Sequence, residues 1–360
     1  MTSKEISWRD KWTEDKQGPY EQWQKTENIP VIHGFFVDDL TTVLVEPWER
    51  MGGKGTFINL DGSGGVCDCY VSEIPPGSSL KPQKHLFEET VLVLKGRGAT
   101  TVWHEGGRKQ TFEWQEGSLF APPINTWYQH FNGHESEPAR YASVTTAPLI
   151  FNLFRNSEFV LSNPFQFKDR YADEDGAFSG KGKAFADRVW ETNFVPDVYQ
   201  YPLTPWRERG YASTNVMFEM AGNTMKPHIS EFPVGTYKKG HRHGPGAHVF
   251  ILNGTGYSLL WPDEGKPKTK VDWHKYSMFV PPDFWFHQHF NAGSDPARYY
   301  AVTWGHLRVN FSIIGRADKS VKEEGNQIEY PNEDADIMET FERELAKSSL
   351  KPMPPEDWRK

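Results

Sequence analysis

The sequence predicts an all-β protein of two tandem double-stranded jelly-roll barrels, with short helical extensions at the N- and C-termini. Two observations carry that expectation. Short alternating runs such as "CDCYVSEI", "TVLVLKGRGATTVWH" and "YASVTTA" are separated by Gly and Pro turns, the pattern of many short strands folded into a double sheet. The first half of the chain also repeats in the second. Pro47-Trp48 falls on Pro205-Trp206, Gly77 on Gly235, His85 on His243, Gly96 on Gly254 and Arg140 on Arg298, at a constant offset of 158 residues. "GSLFAPPINTWYQHFN" then mirrors "YSMFVPPDFWFHQHFN" with the offset slipped by one. A period of this length is too long for a solenoid unit, so it implies two copies of one domain.

Taken in order, residues 1–44 form an N-terminal extension, polar and rich in aromatics, with a short helix in "ISWRDKWTEDKQGPYEQWQKT". The first barrel spans 45–155, entered through "TTVLVEPWERMG". Residues 156–202 are a linker, in which "KAFADRVWETNF" reads as a short helix. Its "SGKGK" is loop-like and lacks the spacing of a phosphate loop. The second barrel spans 203–315. In the tail, 316–360, Ile337, Phe341 and Leu345 recur at steps of four, one apolar face of a helix whose acidic first turn suits the helix dipole. Such a stripe packs on its own barrel or on a neighbouring subunit, and a homodimer contact is expected there.

Composition narrows the function classes. At 360 residues the chain suits two domains, each able to bury a core. A net charge of −8, with no basic run interleaved with aromatics, argues against a nucleic-acid partner. The first twenty residues have no apolar core for a signal peptide, and no apolar run approaches a membrane span. Cys67 and Cys69, the only cysteines, stand two apart on one strand, a poor geometry for a disulfide. They read as reduced strand residues of a cytoplasmic protein without membrane contact.

The chemistry lies in His241-Arg242-His243 and the later His287. Residues two apart on a strand share a face, so His241 and His243 aim into one cavity, and a neighbouring strand brings His287. Neutral imidazole binds iron, copper, zinc and nickel. The repeat serves as a control. His241 faces Gln83 and His287 faces Tyr128, so the second copy alone has all three ligands. His289 and His130 match within a shared "QHFN", which argues that His289 serves the fold rather than the metal. His248 has the wrong parity to face His243 unless Gly244-Pro245-Gly246 bulges the strand, so it is a fourth-ligand or outer-sphere candidate together with His289.

These motifs resemble those of the cupin family, in a two-domain bicupin. The family pattern of Gly, five residues, His-x-His and a later Gly is matched by Gly235, His241, His243 and Gly254, and its second motif by Pro282, His287 and Asn291. The first copy matches through Gly77, His85, Glu89, Gly96, Gly117, Pro123 and Asn132, with Gln83 and Tyr128 replacing two ligands. The resemblance covers roughly residues 45–155 and 203–315. The family's metal-binding glutamate falls on Ala247 in the second copy. Its loss, with "HRH" ahead and "FWFHQH" behind, is similar to the gentisate and hydroxynaphthoate ring-cleaving dioxygenases, which hold ferrous iron with three histidines. Those enzymes usually carry the metal in their first cupin, whereas here the first copy is the eroded one.

Three neutral histidines leave a divalent ion its full charge and three coordination positions for reactants, whereas a structural zinc site is closed by four ligands. His241, His243 and His287 are therefore the expected metal ligands and catalytic residues. The ion is Fe(II) by resemblance, with Mn, Ni, Zn and Cu as alternatives. The expected reaction is a dioxygenase cleavage of a ring or carbon–carbon bond in a small oxygenated, aromatic substrate, with dioxygen as second reactant. Phe250, Trp261 and Trp304 are candidate apolar contacts to that substrate. Arg298 is a candidate carboxylate clamp, although its partner Arg140 favours a shared structural salt bridge. Two alternatives stand beside this: redox-neutral metal chemistry (isomerase, decarboxylase or hydrolase), and a non-enzymatic small-molecule-binding bicupin.

Overall fold

The computed structural model describes residues 17–244, 246–305 and 319–353, the side chain of Phe185 excepted. Each half is a barrel of one large and one small sheet. In the first, the large sheet runs Val31–Gly34, Gly53–Leu60, Asp68–Ile74, Ala139–Thr145, Glu89–Lys95, Leu119–Phe120 and Phe194–Val195, and Glu46–Trp48 also pairs with Gly53–Leu60. Trp127–Asn132, Arg97–Trp103 and Gln110–Gln115 form the small sheet. In the second barrel the path is Lys183–Ala186, Val189–Glu191, Thr214–Glu219, Met225–Phe232, Ala297–Trp304, His248–Asn253, Met278–Phe279 and Phe36–Val37, faced by Thr269–Trp273, Gly256–Trp261 and Phe286–Asn291. Among the described residues every strand pairing is antiparallel except Val31–Gly34 on Gly53–Leu60 and Val189–Glu191 on Thr214–Glu219.

The two copies exchange edges. Phe36–Val37, from the first half, pairs with Met278–Phe279 of the second barrel, and Phe194–Val195 pairs with Leu119–Phe120 of the first. These two donor strands lie at the same offset of 158 as the rest of the repeat, so the swap is reciprocal. The segments expected as extension and linker thus supply strands to both barrels. In particular the helix expected in "KAFADRVWETNF" is absent. Lys183–Ala186 and Val189–Glu191 form an antiparallel strand pair, and the short helix of this region is Ser157–Ser162, with Asn156 Oδ1 accepting from Phe159 N at 2.7 Å as its N-cap.

Strand parity explains how the barrels join. In Asp68–Ile74, Tyr70 and Ile74 point into the first barrel while Cys69 and Val71 point out. In His248–Asn253, Val249 and Ile251 point into the second barrel while Phe250 and Leu252 point out. The outward sets of both large sheets merge in one core between the barrels, with Leu92, Val144, Val216, Phe218, Met278 and Tyr300 buried together. These sheets are covered on both faces, so their strands read as near-continuous apolar runs. Cys67 and Cys69 lie in this shared core as free thiols.

Helices close the ends. α1 (Pro19–Glu27) sends Tyr20 and Trp23 into the first barrel's core, where Trp23 stacks on Phe151 of α2 (Ala147–Phe154) at 4.3 Å between centroids. Residues 6–16 of the expected N-terminal helix lie outside the described residues. The Ser157–Ser162 helix is α3. α4 (Ala335–Ala346) lays Ile337, Phe341 and Leu345 against Tyr237, Tyr257 and Phe290 of its own second barrel. The stripe expected to serve a homodimer is thus buried within the chain. Among the described residues no helix is long and apolar enough to cross a membrane.

Candidate metal centre

His241 and His287 face each other across a two-residue antiparallel bridge, His241 N donating to His287 O at 3.1 Å and His287 N to His241 O at 2.8 Å. Backbone pairing thereby brings together residues distant in sequence, and their rings sit 4.2 Å apart. His243, two residues on and on the same face, stands 4.7 Å from His287 and 5.6 Å from His241. One nitrogen from each of the three lies within 4.8 Å of the others. A small inward turn of the rings reaches the roughly 3–4 Å separation of nitrogens that share one ion at about 2.1 Å.

The donor chemistry fits a metal. Each Nδ1 faces a backbone carbonyl: Lys239 O at 3.0 Å from His241, Gly244 O at 3.1 Å from His243 and Trp285 O at 3.2 Å from His287. A carbonyl only accepts, so Nδ1 carries the proton and the Nε2 lone pair is left for a ligand. Burial, then the Arg209 charge, pushes His241 well below its usual value. Burial and the neighbouring His243 do the same to His287, and burial pushes His243 down to about 4. All three rings are neutral at neutral pH, the state that coordinates metal. His241 and His287 are buried while His243 is half-buried, so the cluster is reached from the His243 side.

His289 is oriented oppositely. Trp273 Nε1 donates to Ser258 Oγ at 3.1 Å, and that hydroxyl donates to His289 Nδ1 at 2.8 Å. Its proton is therefore on Nε2, which removes the lone pair a metal would need. Trp114, Thr100 and His130 repeat the arrangement in the first barrel, at 2.9 and 2.7 Å. The matched histidine is held in the same way in both copies. In the first barrel, Gln83 and Tyr128 make the same backbone bridge as His241 and His287, but they offer no nitrogen pair. His85 Nε2 is engaged by Tyr128 Oη (3.0 Å) and Glu89 Oε2 (3.2 Å), and Glu89 also accepts from Tyr70 and Tyr128. Burial would raise the Glu89 carboxyl, yet the hydrogen bond from His85 and the His85 charge lead in holding it down at about 2.

The other site candidates fall elsewhere. His248 has the outward parity of Phe250, sits fully buried with Nδ1 on Gly246 O at 2.9 Å, and stands outside the three-histidine group. The bulge that would turn it inward involves Pro245, outside the described residues. Phe250 belongs to the core between the barrels and Trp304 packs against that core. Trp261 is buried beneath α4 and stacks on Phe286 at 5.6 Å. Arg298 binds Glu231 at 3.0 Å and the carbonyls of Val198 (2.8 Å) and Tyr201 (2.5 Å). Arg140 does the same with Glu73 (2.8 Å) and Thr41 O (2.7 Å). These four residues, Phe250, Trp261, Arg298 and Trp304, therefore face away from the histidines, because outward parity or the tail claims them.

Sequence reasoning missed further polar residues that face into this barrel. On Met225–Phe232, Met225 and Ile229 point to the inter-barrel core, so Lys226 and His228 point inward. Lys238 is fully buried, its ammonium over the rings of Tyr299 (4.8 Å), Phe232 (5.6 Å) and Trp206 (5.6 Å). Arg209 donates to Gln327 Oε1 at 3.1 Å and its charge reaches His241 and His243. The tail pairs along the ligand strand, Ile328 N on Gly240 O at 2.7 Å and Arg242 N on Asn326 O at 2.9 Å, and so holds Gln327 in place.

No family model matches the chain, and no curated protein matches it in sequence. Solved structures do resemble it. The oxalate decarboxylase of Lactobacillus farciminis in complex with formate aligns over 75% of this chain and 87% of its own, with 12% identity and a TM-score of 0.51. A single-site mutant of Bacillus subtilis oxalate decarboxylase aligns over 78% of this chain and 79% of its own, with 14% identity and a TM-score of 0.52. A further structure of the Bacillus enzyme, described by its Mn(II) centres, gives 14% identity and a TM-score of 0.50 over the same shares. At this identity the likeness speaks to architecture, and the architecture is a bicupin: two tandem cupin barrels in one chain.

Proposed function

We propose that the chain is a metal-dependent enzyme that cleaves a carbon–carbon bond in a small oxygenated acid, at one divalent ion held by His241, His243 and His287. The observation that carries this reading is the shared tautomer of the three rings, each with Nδ1–H on a carbonyl and Nε2 free to coordinate. Such an ion supplies Lewis acidity and open coordination positions to which a substrate's paired oxygens can bind. The chain's own part is to present neutral imidazoles, to keep water out with Phe279, Tyr299 and Val249, and to line the interior with the basic side chains of Lys226, Lys238 and Arg209.

Two chemistries share that cleavage. Ala247 in place of a fourth, carboxylate ligand favours a dioxygenase of the three-histidine type, for which Fe(II) is the expected ion. The likeness to oxalate decarboxylases, one described by its Mn(II) centres, favours redox-neutral decarboxylation instead. Oxygen dependence separates them. Anaerobically prepared protein, loaded in turn with Fe(II) and Mn(II), is offered a panel of hydroxylated aromatic acids, keto acids and oxalate while oxygen uptake and carbon dioxide release are followed. Oxygen consumption equal to product selects the dioxygenase. Carbon dioxide release that survives without oxygen selects the decarboxylase. Inertness of fully loaded protein across the panel refutes both.

A further inference from the structure

The internal repeat identifies a second feature present in the metal barrel alone. Positions at the offset of 158 coincide structurally. Leu80 N and Lys238 N donate to the carbonyls of His130 and His289, both at 3.0 Å, and Lys81 N and Lys239 N to those of Met51 and Arg209, at 2.7 and 2.9 Å. Asp68 pairs with Thr145 as Lys226 does with Thr303, and Tyr70 with Ser143 as His228 does with Ala301. The first barrel thus holds Met51, Leu80, Asp68 and Tyr70 where the second holds Arg209, Lys238, Lys226 and His228. An apolar and acidic interior has been exchanged for a basic one, in the copy that has the three histidines.

The exchange is costly for folding alone. The Lys238 ammonium is fully buried with no hydrogen-bond partner among the described residues, an arrangement that disfavours its charge strongly. Burial and the Arg209 charge push it well below its usual value, and no carboxylate counteracts them. For Lys226, burial is the sole influence. Tyr299 ties these groups to the histidines: its ring stands 6.0 Å from His228, 4.8 Å from the Lys238 ammonium and 5.5 Å from His289, whose ring lies 5.6 Å from His287, and Lys226 shares the inward face of its strand with His228. Resting on the metal-dependent reading above, we propose that Lys226, His228 and Lys238 form an oxyanion subsite beside the three-histidine cluster, which takes a carboxylate of the substrate not used for chelation. The rings of Tyr299, Phe232 and Trp206 around Lys238 give that subsite apolar walls, suited to a carboxylate on a small hydrocarbon stem.

The test is calorimetric titration of the full-length, metal-free chain with malonate, succinate, benzoate and benzene-1,2-dicarboxylate. The diamide of the last and inorganic phosphate are run alongside, and metal stoichiometry is measured in parallel. At least one dicarboxylate is expected to bind, more weakly as salt rises, and the diamide is not. Lys226→Met, at a half-buried position that tolerates the change, should weaken binding roughly tenfold or more while keeping the wild-type circular dichroism and metal content. Lys238→Met should do the same. Binding that ignores salt, a diamide as good as its diacid, or wild-type affinity in both variants overturns the subsite. Phosphate binding more tightly than every carboxylate overturns its assignment to a carboxylate. Metal uptake without carboxylate binding refutes the subsite alone, whereas carboxylate binding by a chain that takes up no metal refutes the metal-dependent function and leaves the subsite standing.

Discussion

Replacing His248 with leucine should make the protein markedly more resistant to acid. His248 is fully buried between the barrels, with Nδ1–H on Gly246 O at 2.9 Å and Nε2 without a partner among the described residues. Burial pushes it from 6.5 down to about 4. The folded value lies below the unfolded one, so between the two the unfolded chain binds more protons. The native state is then at full stability above about pH 6.5 and loses it as pH falls toward 4. From about pH 7 to about pH 5 one such group costs roughly 2 kcal/mol, a large share of the roughly 5–15 kcal/mol typical of a folded domain. Guanidinium unfolding of the metal-free chain at those two pH values measures the gap in stability. In His248→Leu that gap should narrow by about 2 kcal/mol. Glu333 works in the opposite direction, because burial raises it to about 8 despite hydrogen bonds from Tyr237 and Gln288. It titrates alike in both proteins, as do the three clustered histidines, and so cancels in the comparison. An unchanged gap, within about 0.5 kcal/mol, would refute the assignment of His248 as a neutral, buried group.

Three further outcomes follow. Elemental analysis after dialysis should find one divalent ion per chain in the wild type and in His85→Ala, and none in His287→Ala, since losing one of three ligands costs about a hundredfold or more in affinity. Ala247→Glu places a carboxylate where Glu89 stands in the first barrel. It should raise divalent-metal affinity about tenfold in a chelator competition, and no change would mean that position 247 does not face the ion. Phe341→Ala removes a fully buried ring from the seam between α4 and the barrel. It should cost about 3–5 kcal/mol in urea unfolding while metal content stays at one ion per chain.

How far these features could be read from sequence depends on what each one requires. The ligand trio needs only strand parity and a neighbouring strand, both local facts, and the repeat adds an internal control. The repeat also paired His289 with His130 and Arg298 with Arg140, which are held by matching partners, and the spacing of Ile337, Phe341 and Leu345 marked the helix itself, though not the barrel it packs on. Phe250 and Trp304 were not. Their strands are covered on both faces, so alternation carries no information about which apolar residues face the cavity and which face the other barrel. The strand pair at Lys183–Glu191 was missed because its strands are only four and three residues long, too short for a period of two to stand out from a helical one.

Lys226, His228 and Lys238 were within reach of the same comparison that isolated the histidines. A lysine in a polar-flanked run such as "GTYKKGHRH" reads as solvated until its repeat partner is consulted, and the partner of Lys238 is the buried Leu80. Two copies under one fold have nearly the same packing demands, so a position apolar in one copy and cationic in the other is not explained by packing. That reasoning applies with equal force to Gln83 against His241 and to Leu80 against Lys238. It makes the three clustered histidines and the buried basic residues parts of one difference between the barrels. A protein in which the metal cluster could be removed without effect on carboxylate-directed chemistry, or the lysines without effect on that chemistry, would contradict that unity.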